Sequence, residues 1–179
     1  MVSWEPLVEQ LVRERGPRLT AYAALLVGRD GDAEDLVHDA LVKVFSRRRR
    51  LASVGQAEAY VRSAMPSIVI DRARSAASRR RATTRAFQRD PARSDVEAGL
   101  DVRRALRELP PREQVCVVLR FFDDLTVPQI ADRLGLAEGS VKRYLYDATA
   151  RLAPLLDVTD EWDEEPMTAA VVATKERGR

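Results

Sequence analysis

Lys142, Arg143 and Tyr146 fall on one side of a helical repeat, and Val141, Leu145, Ala148, Leu152 and Leu155 on the other. The apolar set recurs at i, i+4, i+7, i+11 and i+14, the period of a helix with one buried face. Two cations and a phenol on the opposite face can neutralise phosphates and reach base edges in a DNA groove. Ser140 stands at the front end of the same helix. Upstream, Thr126 and Gln129 make a capping-box pattern and Gly135-Leu136-Ala137 a tight turn. The stretch 109–156 therefore reads as three helices, the last two forming a helix-turn-helix, with DNA as its ligand.

A second group of cations, Arg72, Arg74, Arg79, Arg80 and Arg81, lies at the end of another helical pattern, and Arg47–Arg50 form a shorter run. Guanidinium groups suit phosphate contacts because they keep their charge and present several donors. Acids gather separately, at Asp32, Asp35 and Asp39 and again from Asp157 to Glu165. The formal net charge of +2, from 30 basic and 28 acidic residues, hides this segregation. It predicts one surface for a polyanion and another for a basic partner.

Other chemistry finds little support. One cysteine and one histidine allow no internal disulfide and make a Cys/His zinc site a poor expectation. Cys116, among valines, reads as a small buried hydrophobe. The chain has no Gly-rich phosphate loop, nucleophile-elbow motif or histidine-based acid–base pair, so no catalytic residue, metal or cofactor is expected. No apolar run approaches the ~20 residues of a membrane span. The N-terminal MVSWEPLVEQ is not a secretory signal. A soluble cytoplasmic protein is expected.

Helical elements must position these groups, because helix formers abound and strand-type alternation is rare. Leu7, Val8, Leu11 and Val12 mark one amphipathic helix, interrupted near Gly16-Pro17, and Leu19, Tyr22, Ala23 and Leu26 mark the next. Asp32 is a candidate N-cap for AEDLVHDALVKVFS. A further helix runs from Ala57 into the arginines, with Tyr60, Val61, Ala64, Ile68 and Ala73 partly buried and Pro66 predicting a kink or break. Residues 84–97 read as a linker. Val102, Leu106 and Leu109 resume helical spacing up to Pro110-Pro111, and Val115, Val118, Leu119 and Phe122 form the next apolar face. The expected fold is all-α, with two small helical domains at 5–83 and 98–156 and an acidic, disordered tail at 157–179. Trp162 is an isolated aromatic in that tail, a candidate docking residue.

The segments GRDGDAEDLVHDALVKVF, AYVRSAMPSIVIDRARSAASRRR and LPPREQVCVVLRFFDDLTVPQIADRLGLAEGSVKRYL together resemble regions 2 and 4 of a bacterial extracytoplasmic-function sigma factor. The resemblance covers roughly residues 5–156 and agrees in order, spacing and linker. It implies a protein that binds core RNA polymerase, recognises −35 and −10 promoter elements and helps open the duplex. An anti-sigma factor is a further possible partner within the family.

By this resemblance Asp35, His38 and Asp39 contact the clamp of the largest polymerase subunit, with His38 where the family usually has Gln. Arg72, Arg74, Arg79, Arg80 and Arg81 neutralise phosphates at the −10 element. Ser67 holds the position of an Asn that serves near the displaced base, and Pro66 stands where a basic residue is common. Ser140, Lys142, Arg143 and Tyr146 contact the −35 major groove. The family's usual serine cap is Ala137 here, a frequent arginine is Tyr144, and another basic position is Asp147. Two rival readings remain: a stand-alone helix-turn-helix regulator, and a degenerate sigma that binds polymerase or DNA without opening promoters.

Overall fold

A computed structural model describes residues 4–28, 30–46, 51–82 and 99–155. Arg47–Arg50, the linker 84–97 and the tail 157–179 lie outside the described residues, as do the side chains of Arg79, Arg80 and Arg81. Among the described residues every regular element is a helix.

Helices α1 (Glu5–Val27), α2 (Asp30–Phe45) and α3 (Val54–Ala82) pack pairwise on one another. Leu11, Leu19 and Leu26 from α1, Leu36 from α2, and Val61, Met65 and Ile70 from α3 are fully buried among them. Each such side chain contributes roughly 1.5–3 kcal/mol on leaving water. That sum decides two points where local propensity points the other way. The break expected at Gly16-Pro17 is absent: α1 runs through Pro17 as a single helix. Pro17 and Arg13, whose carbonyl loses its intrahelical partner, both face solvent, while Leu11, Leu19, Tyr22 and Leu26 on either side share one core. A prolyl penalty of roughly 3 kcal/mol is smaller than what that shared burial contributes. Likewise α3 continues through Pro66, which is itself buried between Met65 and Ile68. The start of α2 also moves: it begins at Asp30, so Asp32 lies in its first turn and is not the cap. Tyr60, expected to be partly buried, is exposed.

The second half comprises α4 (Gly99–Arg107), α5 (Pro111–Val117), α6 (Val127–Leu134) and α7 (Glu138–Leu152), with a 3-10 turn at Ala153–Leu155. Pro111 opens α5, where a missing N–H costs nothing. Leu109, Val115, Leu119, Ile130 and Val141 form its fully buried centre, and Cys116 joins them. Burial pushes the Cys116 thiol up to about 12, so it stays protonated and inert, as expected of a small core hydrophobe. Beyond α5 the chain widens into a π-helical turn, Val118–Phe122, closed by the Asp123 N–H on the Val118 carbonyl at 3.1 Å. Asp124 then adopts a left-handed φ of 52°. The wide turn rotates Phe122 out of the apolar face where its spacing placed it, leaving it 58% exposed.

The same turn delivers Asp123 to the first bundle. Tyr22 Oη donates to Asp123 Oδ2 at 2.6 Å, and Arg62 Nη2 donates to Oδ1 at 2.6 Å. The Arg62 guanidinium lies 4.3 Å from the centroid of the Tyr22 ring and 5.5 Å from that of Phe122. Burial, then the bond to Asp123 and its charge, hold the Tyr22 hydroxyl well above the ordinary phenol range, so it remains a donor. Two further contacts support the junction. Gln114 Nε2 donates to the Leu25 carbonyl at 2.7 Å, and α4 passes close over the end of α1. A Cβ at Gly28, which has φ 77°, would sit 2.7 Å from Arg107 Cγ, so both its conformation and the close approach require glycine.

Asp123→Ala leaves Arg62 and the Tyr22 hydroxyl without their shared acceptor and is expected to cost about 2 kcal/mol, as for hydrogen bonds to charged groups. A lower urea midpoint together with a larger hydrodynamic radius is the expected result. An unchanged radius and midpoint would show that the cluster does not hold the halves together.

Candidate nucleic-acid interface

Helix α7 is set by the turn before it. Gly135 ends α6 with φ 62°, and the Leu136 N–H reaches the Ala131 carbonyl at 3.0 Å. The start of α6 carries the expected capping box, with the Thr126 N–H on Gln129 Oε1 at 2.8 Å and the Gln129 N–H on Thr126 Oγ1 at 3.5 Å. At the start of α7, Ala137 has the extended backbone of an N-cap but no side-chain acceptor to offer. Val141, Leu145 and Ala148 are buried and Leu152 half-buried; Leu155, expected on this face, is instead 48% exposed in the 3-10 turn. The helical period ends at Leu152, so Leu155 leaves the stripe.

Of the four residues expected to meet DNA here, Lys142, Arg143 and Tyr146 are exposed and Ser140 is half-buried. Among the described residues Lys142 has no ion-pair partner, whereas Arg143 Nε lies 3.6 Å from Asp147 Oδ2, one turn on. Asp147 thus offsets a neighbouring cation on this face. Tyr144 points the other way, into α5, where Arg112 Nη1 donates to its hydroxyl at 3.0 Å. A second tie to α5 places Arg151 Nε 3.1 Å from Glu113 Oε2. Burial raises the Glu113 carboxyl above the ordinary range, and Arg151 opposes that shift.

Across the molecule, Asp35, His38 and Asp39 are exposed on α2 at spacings of three and four, which place them on one face. Arg72 Nη2 reaches Asp39 Oδ2 at 2.5 Å, so the acidic face of α2 and the basic end of α3 meet edge to edge. Arg74 Nη1 lies 3.6 Å from Asp71 Oδ1. Ser67 donates to the Ala64 carbonyl at 2.8 Å and accepts from Lys43 Nζ at 3.2 Å. Its hydroxyl is therefore already committed within the bundle. Periodicity placed Phe122 only on an apolar face, and it marked neither Arg62 nor Asp123. The pair Phe121-Phe122 followed by two acids was the local signal, but the partners of Asp123 are 61 and 101 residues away.

The family described as Sigma-70 region 2 matches residues 11–79, and Sigma-70, region 4 matches residues 99–152. An RNA polymerase sigma-E factor of Streptomyces avermitilis is 31% identical over 157 residues, covering 85% of this chain and 86% of that one. The chain belongs to the sigma-70 family of RNA polymerase sigma factors, of the extracytoplasmic-function type. RNA polymerase sigma factor SigF of Mycobacterium tuberculosis is 44% identical over 70 residues, 35% of this chain. The chain spans 27% of the length of that relative. Among solved structures, the sigma factor RpoE in complex with the anti-sigma factor NepR, from Bartonella quintana, superposes with a TM-score of 0.52. That match covers 86% of this chain and 98% of that chain at 24% identity, and supports the helical fold. No helix among the described residues is long and apolar enough to cross a membrane.

The bare N-cap of this sigma-70 region 4 is open to repair. Ala137→Ser, at a position already in cap geometry, is expected to stabilise α7 by about 1 kcal/mol. A thermal midpoint at or below that of the parent would show that another group already serves the first-turn N–H donors.

Proposed function

We propose that this protein binds core RNA polymerase and directs it to a small set of promoters as a non-catalytic initiation factor in the cytoplasm. The observation that carries the proposal is the pairing, in order on one chain, of a region 2 bundle and a region 4 helix-turn-helix. Each half presents an exposed charged face. We adopt 5–83 and 98–156 as the bounds of the two functional units.

Asp35, His38 and Asp39 on α2 form the polymerase surface. Exposed acids there steer encounter with a basic partner and set its register. Lys142, Arg143, Tyr146 and Ser140 form the −35 surface, in which Lys142 is a phosphate contact and Arg143 a weaker cation held partly by Asp147. Arg72, Arg74, Arg79, Arg80 and Arg81 form the −10 phosphate strip. Ser67 reads a displaced base only if its hydroxyl exchanges the Ala64 carbonyl or Lys43 for the base, so base selectivity at −10 is expected to be modest. Because Asp39 and Arg72 neutralise each other, a basic polymerase group on Asp39 would free Arg72 for DNA. An anti-sigma factor, like that in the RpoE complex, is a candidate partner of the same surfaces.

The purified chain with core polymerase should yield transcripts with defined starts from genomic fragments, and neither component alone should do so. Polymerase binding without a promoter-dependent transcript would support the degenerate-sigma reading instead. In the same holoenzyme, Lys142→Ala should weaken promoter binding across sequences and flatten the salt dependence by about one unit of slope. An unchanged slope would remove Lys142 from the phosphate contacts.

A further inference from the structure

A groove of about 610 Å³ runs along the junction of the two halves, beside the Tyr22–Arg62–Asp123 cluster. Tyr22, Leu25, Val102 and Phe122 give it an apolar lining, and Arg18, Arg103 and Glu58 line it as well. Val102 and Phe122, both lining the groove, are about half exposed. Arg62 is paired to Asp123, but Arg18 and Arg103 have no ion-pair partner among the described residues. The one carboxylate in the lining, Glu58, lies 3.5 Å from Arg15, so among the described residues the groove offers an apolar seat between two cations without an ion-pair partner.

We propose that the chain's own acidic segment 157–165, DVTDEWDEE, occupies this groove, with Trp162 seated on its apolar lining and the flanking carboxylates on Arg18 and Arg103. Three observations favour this occupant. The segment carries six acids and no base, the charge complement of the groove. Trp162 is the only aromatic residue beyond Tyr146, and an indole buries enough apolar area to fill such a seat. The tether also reaches. Arg151 is held to Glu113, and the next residue, Gln114, bonds to the carbonyl of Leu25 in the groove lining. The seven residues from Leu155 to Trp162 extend to about 24 Å, roughly twice a helix diameter. A short tether supplies a local concentration in the millimolar range, so a weak contact suffices to populate the docked form. Since α1 and α3 supply one wall and α4 and the π-turn the other, the seated segment staples region 2 to region 4.

The full-length chain contains two tryptophans, and Trp4 stacks on Phe45 away from the groove. Trp4→Phe therefore leaves Trp162 as the sole reporter. The expected result is blue-shifted emission and acrylamide quenching several-fold lower than for the same chain in urea, independent of protein concentration. Adding Arg18→Glu and Arg103→Glu should return both readings to those of a solvated indole, with the far-UV circular dichroism unchanged. If that double variant misfolds, raising salt to about 1 M on the Trp4→Phe chain, where the Debye length is near 3 Å, should weaken the shielding instead. A Trp162 quenched as freely as in urea overturns the proposal. So does shielding indifferent to both charge reversal and salt, which would place the indole elsewhere. Shielding that grows with concentration assigns the segment to a second copy and also overturns it.

Discussion

The Asp123 carboxylate accepts from Tyr22 through one oxygen and from Arg62 through the other, and the arrangement of the two halves depends on that double acceptance. Its side chain is only 11% exposed, so its charge is stabilised by these donors more than by water. A carboxylate so placed is costly to leave unpaired, and this penalty favours one relative placement of the two halves over many. The π-turn is the device that makes the placement possible. A regular helical turn would keep Phe122 on the inward stripe and carry the following acid elsewhere. Gln114 and the tight approach of α4 to Gly28 then act on a geometry already chosen.

Within each half, the exposed faces are rigid because their backs are anchored. Helix α7 presents Lys142 and Tyr146 outward because Val141, Leu145 and Ala148 are buried and Tyr144 is bonded to Arg112 on α5. Arg151 against Glu113 fixes its far end. The bare cap at Ala137 is tolerated because tertiary burial, not helix propensity, holds this helix. In the first bundle the same logic links two surfaces of opposite charge. The Asp39–Arg72 pair and the Lys43–Ser67 bond couple the acidic face of α2 to the basic end of α3.

Much of this was legible in the chain, and what was not shares a cause. The helix-turn-helix, the Thr126–Gln129 capping box and the turn at Gly135 are local devices, written in one continuous stretch from Thr126 to Leu152 and independent of distant partners. The burial of Cys116 follows from its valine neighbours and the outward face of α7 from period alone. Pro17 and Pro66 were misleading because their cost is local while the burial that overrides it comes from three helices together. Ser67 and Tyr144 read as departures from a DNA-binding pattern, yet the fold uses both as internal hydrogen-bonding groups.

The amino-acid sequence by itself determined the family, the all-α class, the order of the two regions and the exposed cations of the recognition helix. These rest on spacing along the chain, which periodicity and short motifs express directly. Only the tertiary structure decided that Asp123 meets Tyr22 and Arg62, that Arg72 is neutralised by Asp39, and that a groove opens between the halves. Each of those joins residues thirty to a hundred positions apart, and no local pattern specifies which distant charge will be desolvated beside which donor.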